Sequence, residues 1–336
     1  MDAGLWIEWI IKSVVLLVIL LPGFAYLTLF ERRVLAKMQV RIGPNRVGPQ
    51  GLLQPLADGL KLIFKEELIP AKADKLFFIL APVITAVPAL IVLAVVPFGP
   101  SVEIFGRTVY LGLADGVSVG VLYVMAVASI AVYGITLAGW SSNNKYALLG
   151  GLRSSAQMVS YELALGLSFI GPILLANSMS MRDIVVSQER IWFFVFQPIG
   201  FVIFLIATIA EVNRAPFDMP EAEQELAAGY HVEYSGMKFA LLFLAEYDKM
   251  IAVSAIGATL FLGGYWGPWV RQVPWLGIFY LLAKTAFLLF LMIWMRATLP
   301  RFRYDRLMSF GWKVMLPLAL LNVVVTALVV VGLAGG

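Results

Sequence analysis

The chain has 336 residues, of which 61% are hydrophobic and only 14% are charged, and its mean hydropathy is +0.88. Soluble globular domains carry roughly 25% charged residues, so this composition indicates an integral membrane protein. The lack of cysteine excludes disulfides, thiolate iron-sulfur ligation and cysteine-based zinc sites, and the single His231 cannot supply two haem ligands, so any redox centre is expected on another protein.

Runs of about 20 apolar residues mark helices that are long enough to cross a bilayer. The chain contains eight such runs, near residues 10–30, 76–97, 117–140, 155–177, 191–211, 238–265, 274–295 and 314–333. Only short segments remain between them, and no repeat of fixed period is present. We therefore expect residues 1–336 to form a single all-α transmembrane bundle of eight helices, supplemented by short helices in the cytoplasmic loops.

The basic residues predict the orientation of these spans. Of the 25 Lys and Arg residues, 18 fall in alternate loops and five fall on the opposite side, while Lys249 and Lys284 lie within spans. The positive-inside rule places the 18-residue side in the cytoplasm, so both termini are predicted to face the opposite side. The last basic loop, residues 296–313, is either a topogenic anchor or a docking surface for an acidic partner. Lys284 is expected to pair with an acid on another helix.

The first predicted cytoplasmic loop, residues 31–75, combines a Gly-Pro segment, IGPNRVGPQG, with a stretch of helical periodicity. The polar side chains of that stretch recur on one side of the helix, at Gln54, Asp58, Lys61 and Lys65. Because the stretch is too short and too charged to span, it predicts an amphipathic helix in the membrane interface. The helix is either a surface anchor or the lateral wall of a ligand cavity.

The second long cytoplasmic loop, residues 212–238, is rich in carboxylates. Asp218 can cap a short helix with Glu221 three residues later, and Gly229 is typical of a helix end. Capping explains part of the acidity, but Glu221 and Glu225 lie four apart on one helical face, where like charges are mildly destabilising. The sequence leaves open a functional carboxylate cluster and an ordinary acidic loop.

Several ionisable residues lie at membrane depth, where they are costly and typically mark an ion or proton path. Glu162 lies in the fourth predicted span, Glu211 closes the fifth, and Glu246, Asp248 and Lys249 lie in the sixth. Glu246 and Lys249 are three residues apart and could neutralise each other as a structural pair. Glu162 has no basic residue within a helical turn, which favours a functional role.

The chain resembles one family over essentially its whole length, namely the membrane-embedded H subunit (subunit 1) of the proton-pumping NADH:quinone oxidoreductase, respiratory complex I. The strongest marks are ERRVLAKMQVRIGPNRVGPQGLLQPLADGLKLIFKE from Glu31 and EVNRAPFDMPEAEQELAAGYHVEYSG from Glu211. The segments SYELALG, LAEY and PRFRYDRLM support them. Two motifs of this length in this order are highly specific.

The resemblance implies a subunit at the junction of the membrane arm and the hydrophilic arm, in an energy-coupling membrane such as the bacterial cytoplasmic membrane. It would form much of the chamber that admits lipophilic quinone, the substrate, with no covalently bound cofactor. Flavin, iron-sulfur clusters and the NADH site would lie on partner subunits. The expected partners are the other membrane and peripheral subunits, membrane lipid and quinone, without nucleic acid.

The resemblance also implies roles for individual residues, and no metal site among them. The quinone entrance and cavity would be lined by Glu31, Arg32, Arg41 and Asp58. The loop beside the quinone would include Arg214, Asp218, Glu221, Glu223 and Glu225. The proton relay leading into the membrane arm would consist of Glu162, Glu211 and Glu246.

This sequence departs from the family pattern at a few positions. Ala215 and Met219 stand where Thr and Leu are more usual, and Asp248 and Lys249 stand where many relatives have small or neutral residues. The second pair is expected to alter the proton affinity around Glu246.

Two alternatives of other classes remain. The membrane anchor of a proton-pumping hydrogenase or of a related dehydrogenase without NADH would share the fold and the buried acids, but not necessarily the quinone site. A stand-alone secondary transporter would also carry charged spans, but it should show internal symmetry, which this chain lacks. No Walker, Rossmann, HExxH or GxSxG motif is present, which argues against nucleotide binding and hydrolysis.

Overall fold

The computed structural model describes residues 3–104, 107–114, 116–219 and 229–334, and within these ranges the chain is largely helical. The helices, numbered here in chain order, are α1 Ala3–Met38, α2 Gln54–Phe64, α3 Lys75–Ile91, α4 Gly120–Ser141, α5 Lys145–Ala176, α6 Met181–Ser187, α7 Phe193–Phe196, α8 Pro198–Glu211, α9 Gly236–Phe261, α10 Leu276–Thr298, α11 Tyr304–Phe310 and α12 Leu316–Ala334. Single helical turns extend or link them at Pro49–Gly51, Val92–Val95, Gly229–His231 and Gly311–Met315.

Within the described ranges, six helical segments are long and apolar enough to cross a membrane. They are Trp6–Met38, Lys75–Val95, Gly120–Ser141, Lys145–Ala176, Leu276–Thr298 and Tyr304–Gly332. These segments correspond to six of the eight predicted spans and confirm a helical, multi-pass membrane protein. The predicted count of eight is not confirmed, because the fifth and sixth predicted spans have a different character.

The fifth predicted span, residues 191–211, is divided into the short α7 and the 14-residue α8. The break falls at Gln197, before Pro198, which has no backbone N–H to donate to a preceding turn. The Gln197 side chain donates to the Thr326 hydroxyl (2.6 Å) and accepts from the Asn322 amide (2.9 Å), both on α12. The polar groups at the interruption are thus held by a neighbouring helix.

The sixth predicted span corresponds to α9, which has 26 residues and is therefore long enough to cross a bilayer. It differs from the apolar helices because Glu246, Asp248 and Lys249 are concentrated in its centre. The length of α9 is sufficient for a membrane span. A helix that faces lipid on all sides would not carry three charged residues at its centre.

Two local features differ from the sequence-based expectations. The helix α1 continues to Met38, so the first part of the predicted 31–75 loop is helical, and only then does the Gly-Pro segment break the chain. Val102–Ile104 and Arg107–Val109 form a two-stranded antiparallel ribbon between α3 and α4, with Val102 opposite Val109. The all-α prediction missed this ribbon because a three-residue strand is too short to show a period of two.

Close packing between α4 and α5 depends on small residues. A side chain at Gly139 of α4 would place its Cβ 2.6 Å from the backbone oxygen of Ala147 and 3.1 Å from Gly151 on α5. Helices in membranes associate through such small-residue contacts, which let the backbones approach. α5, at 32 residues, also packs against α8 and α12, so it forms the centre of the bundle.

We predict that Gly139→Leu separates α4 from α5, because backbone atoms block the new side chain. Overpacking of this kind costs about 1–3 kcal/mol. The amount of the subunit in purified membranes should fall several-fold on quantitative immunoblots. Gly332→Leu, at a position in α12 with no atom within 4 Å of its added Cβ, is the control and should accumulate normally. Equal accumulation of both variants would contradict the packing argument.

Candidate functional site

The first part of the site joins α1 to the amphipathic helix α2. Arg32, near the end of α1, forms an ion pair with Asp58 on α2 (2.7 Å), and the Gln54 amide donates to the same carboxylate (3.0 Å). Both partners remain partly exposed. None of the residues of α2 is buried in the isolated chain, as expected for a helix that lies at an interface. The structure thus brings together two of the predicted quinone-entrance residues.

The remaining predicted residues of the cytoplasmic side are placed differently. Arg41 is exposed, and its Nε donates to Gln39 two residues away (2.6 Å), which does not bring it to the Arg32 and Asp58 pair. Asp218 is half-buried in the connection that follows α8. The predicted short helix after Asp218 lies outside the described residues, as do Glu221, Glu223 and Glu225.

Glu31 and Glu246 share a buried guanidinium. Arg214, which is 5% exposed, lies with its Nε 2.6 Å from the Glu246 carboxylate and with its Nη1 3.9 Å from the carboxylate of Glu31. Arg296 of α10 also pairs with Glu31, and the guanidinium of Arg214 lies over the Tyr247 ring. Residues from α1, the end of α8, α9 and α10 therefore meet at one charged centre.

Glu211 lies next in this arrangement and is paired with a lysine. It is 3% exposed at the end of α8, and the Lys249 ammonium lies 3.0 Å from its carboxylate and 3.1 Å from its backbone oxygen. The pairing of Glu246 with Lys249 considered from the sequence is therefore replaced by two crossed pairs, Glu246 with Arg214 and Glu211 with Lys249. A helical spacing of three permits a pair, but the facing helix supplies the nearer partner in each case.

Glu162 completes the arrangement from α5. It is half-buried, and the Ser129 hydroxyl of α4 donates to its carboxylate. Within the part of the chain that the structure describes, Glu162 forms no ion pair. We refer to Glu31, Glu246, Glu211 and Glu162 as the acidic row.

One cavity connects three members of the acidic row. It has a volume of about 60 Å³ and is lined mainly by apolar side chains of α3, α4, α5, α8 and α9, together with Glu162, Glu211, Glu246 and Lys249. A buried water requires at least about 10–15 Å³ measured in this way, so the cavity has room for several. Carboxyl groups around a space that holds water can exchange protons over distances that direct hydrogen bonds do not reach.

The end of α8 is held in place by a buried amide. Gln157 of α5 donates to the backbone oxygens of Ala210 (2.7 Å) and Phe217 (2.8 Å), one on each side of Arg214. The Tyr161 and Phe217 rings pack alongside. Because these bonds satisfy carbonyl groups where the helix stops, they fix the direction in which Glu211 and Arg214 leave it.

The carboxylate of Glu233, which belongs to the acidic loop, has a structural explanation. It accepts a hydrogen bond from the Asn144 side chain (2.7 Å), and Asn144 in turn caps the start of α5 by accepting from the Tyr146 N–H (2.9 Å). The neighbouring Tyr234 stacks on Phe78, and burial raises the pKa of its phenol to about 12. This end of the loop thus anchors the chain to α3 and α5.

Two further charged residues lie within the bundle. Asp248 is fully buried, and neither of its carboxylate oxygens has a hydrogen-bond partner among the described residues. Lys284 of α10 donates to the backbone oxygens of Gly264 (2.8 Å) and Trp266 (2.7 Å) and lies over the Trp192 ring. Among the described residues Lys284 therefore pairs with no acid, and carbonyl groups beyond the end of α9 bind it instead.

Sequence reasoning did not assign three residues that organise the site. In the sequence, Arg296 is one of five basic residues of the last loop, Tyr247 stands between the charged Glu246 and Asp248, and Gln157 is an uncharged polar residue of a predicted span. An amide and a tyrosine within predicted spans carry some signal, because buried polar groups need partners. Their partners are distant in sequence and could not be identified from spacing.

The fold and the site define a class of protein, namely a helical membrane protein with buried carboxyl groups arranged around an internal cavity. Comparison with known proteins specifies it further. The model of the NADH dehydrogenase family matches residues 11–327. The chain belongs to this family, which confirms the resemblance seen in its motifs.

Named relatives cover nearly the whole chain. The H subunit of NADH-quinone oxidoreductase from Thermomicrobium roseum is 54% identical over 325 residues, which is 94% of each chain. The second of the H subunits of NADH-quinone oxidoreductase from Geobacter metallireducens is 53% identical over 336 residues, covering 97% of this chain and 96% of its own. The H subunit of NADH-quinone oxidoreductase from Protochlamydia amoebophila is 53% identical over 303 residues, 90% of this chain and 91% of its own.

We predict that Arg214→Met strongly destabilises the protein, because it removes the guanidinium that lies 2.6 Å from the Glu246 carboxylate, while Glu31 retains Arg296. Removal of one partner from a buried ion pair typically costs about 3–5 kcal/mol. The thermal unfolding midpoint of the purified complex should fall clearly. Arg271→Met, which removes an exposed ion pair with Glu189, is the control and should leave the midpoint nearly unchanged. A midpoint for Arg214→Met equal to that of the control would show that the pair carries little stability.

Proposed function

We propose that this chain is the quinone-chamber and coupling subunit of a proton-translocating NADH:quinone oxidoreductase. The observation that carries the proposal is the acidic row, three of whose members open on one cavity. The row begins at Glu31, directly beside Arg32, which binds Asp58 of the amphipathic helix α2. The acidic row, with the Arg32–Asp58 ion pair at its start, therefore connects a candidate quinone entrance to the interior of the bundle.

The proposed topology is a single bundle with eight spans in an energy-coupling membrane, specifically the bacterial cytoplasmic membrane. α9 is long enough to span, and its Glu246 and Lys249 side chains pair with residues at the end of α8 and just beyond it, which makes the burial of these two charges favourable. α8 alone would extend about 21 Å, less than the hydrocarbon thickness of about 30 Å, so α7 would complete this span. By the positive-inside rule, the distribution of basic loops favours an orientation with both termini opposite the cytoplasm.

In the proposed mechanism, quinone enters from the bilayer past α2, and Glu31, Arg32, Arg41 and Asp58 line its entrance. The loop containing Arg214, Asp218, Glu221, Glu223 and Glu225 lies beside the quinone. Reduction by two electrons also requires two protons, and the changing charge in a low-dielectric chamber alters the electrostatic field at neighbouring carboxylates. Arg214, which contacts both Glu31 and Glu246, transmits that change into the bundle.

Glu246, Glu211 and Glu162 then act as the proton relay. Each lines the common cavity, which has room for water molecules that would carry protons between the carboxyl groups. Electrons reach the quinone from flavin and iron-sulfur clusters on partner subunits, in keeping with the absence of cysteine from this chain. Metal ligation has no part in the proposal.

We predict that Glu211→Gln separates electron transfer upstream of the quinone from proton pumping. The amide cannot carry a proton, so NADH-driven proton uptake by inverted membrane vesicles should fall by about 100-fold, the lower end of what a positioned proton carrier contributes. Reduction of an artificial acceptor by NADH should stay nearly intact. Glu189→Gln, in an exposed ion pair at the other end of the bundle, should pump normally. Normal pumping by Glu211→Gln would remove Glu211 from the relay.

We predict that the chain, purified in mild detergent from its native membranes, is recovered with flavin and iron-sulfur subunits. The eluate should reduce quinone with NADH in an inhibitor-sensitive reaction. Recovery with hydrogenase subunits would assign the chain to the alternative considered from the sequence, and a solitary chain would favour a transporter. The named relatives support neither alternative.

A further inference from the structure

The cations at the acidic row are distributed unevenly. Glu31 contacts two guanidinium groups, Glu246 contacts Arg214, and Glu211 contacts the Lys249 ammonium, whereas a hydroxyl donates to Glu162. A bound cation favours the charged form of a carboxylate, and burial without one favours the neutral form. Among the described residues, Glu162 is therefore the member of the row that no cation contacts.

Lys249 contacts one member of the acidic row and lines the same cavity as another. Its side chain is largely buried, it binds both the carboxylate and the backbone oxygen of Glu211, and it lines the same cavity as Glu162. Its charge and that of Glu211 also act on Glu162. Unlike a guanidinium fork, an ammonium is a point charge on a flexible stem and can follow a carboxylate as its charge changes.

We infer that Lys249 is a positioning residue of the proton relay, which fixes the Glu211 carboxylate beside the cavity so that a proton arriving there passes on to Glu162. This inference rests on the proposed function. The other charged groups around the pair are Glu162 from α5, Glu246 on the same helix as Lys249, and Arg214 after α8. Asp248 is adjacent in sequence but does not line the cavity.

The direction of the expected effect follows from the charge. Without the ammonium, the relay loses a cation that favours the charged form of a carboxyl group, so proton release along the relay requires a higher pH. Turnover then fails at mildly acidic pH, where the native enzyme still works. An opposite charge at this distance typically alters the proton affinity of a carboxyl group by 1–3 pK units, so the shift should reach about one pH unit or more.

The test uses the assembled enzyme in inverted membrane vesicles, with NADH-driven proton uptake and quinone reduction measured over a pH series. For Lys249→Met, the acid limb of both profiles should move upward by about one pH unit. Lys249→Arg retains the charge and should keep the native limb. Lys238→Met is the matched control, since Lys238 lies on the same helix but pairs with Glu67 outside the cavity. If Lys249→Met does not assemble, Lys249→Gln, which can still donate to Glu211, takes its place with the same expected shift.

Three results would overturn the inference. The acid limb of Lys249→Met could coincide with the native one, activity could fall equally at every pH as for a purely structural residue, or Lys249→Arg could shift as far as Lys249→Met. Glu211→Gln, measured in parallel, separates this inference from the function on which it rests. If Glu211→Gln pumps normally, the relay itself is wrong; if it fails while Lys249→Met keeps the native profile, only the role of Lys249 is wrong.

Discussion

The cost of burying a charge is the constraint on which the rest of this structure depends. A carboxylate or an ammonium in a low-dielectric interior loses several kcal/mol of hydration, on the order of what a buried partner returns. For Glu31, Glu246 and Glu211, a cation from another part of the chain offsets this cost. For Lys284, hydrogen bonds to backbone carbonyl groups offset the cost instead. The helices are thus arranged so that these buried charges lie next to a partner from another part of the chain.

The same constraint explains why the helices that carry the acids are irregular. α8 is short and starts after a break, and the residues beyond it turn back towards α5, where Gln157 binds their carbonyl groups. This irregularity places Arg214 between Glu31 and Glu246, where a straight helix would carry it away from both. An interrupted helix is tolerated at membrane depth when protein groups satisfy its backbone. The interruption is therefore part of the site rather than a defect of the bundle.

The apolar spans were the most predictable part of the protein, because length and hydropathy are local properties. Six of the eight runs correspond to helical segments suited to crossing a membrane, and the amphipathic stretch after the Gly-Pro segment forms α2. The prediction was weakest where tertiary contacts decide. Spacing permitted a pair between Glu246 and Lys249, yet the two side chains bind Arg214 and Glu211, at the end of α8 and just beyond it. Arg41, grouped with Arg32 through resemblance, instead binds Gln39.

The sequence by itself determined that the chain is a membrane protein, which family it belongs to, and which acids lie within its predicted spans. Composition, apolar run length and long motifs are all readable along one dimension. Only the tertiary structure decided that Glu31 and Glu246 share Arg214, that Lys249 neutralises Glu211, and that Glu162 has a hydroxyl rather than a cation. The physical reason is that each of these partners comes from another helix. Which helices face one another is decided by close packing at small residues and by the cost of leaving a buried charge without a partner.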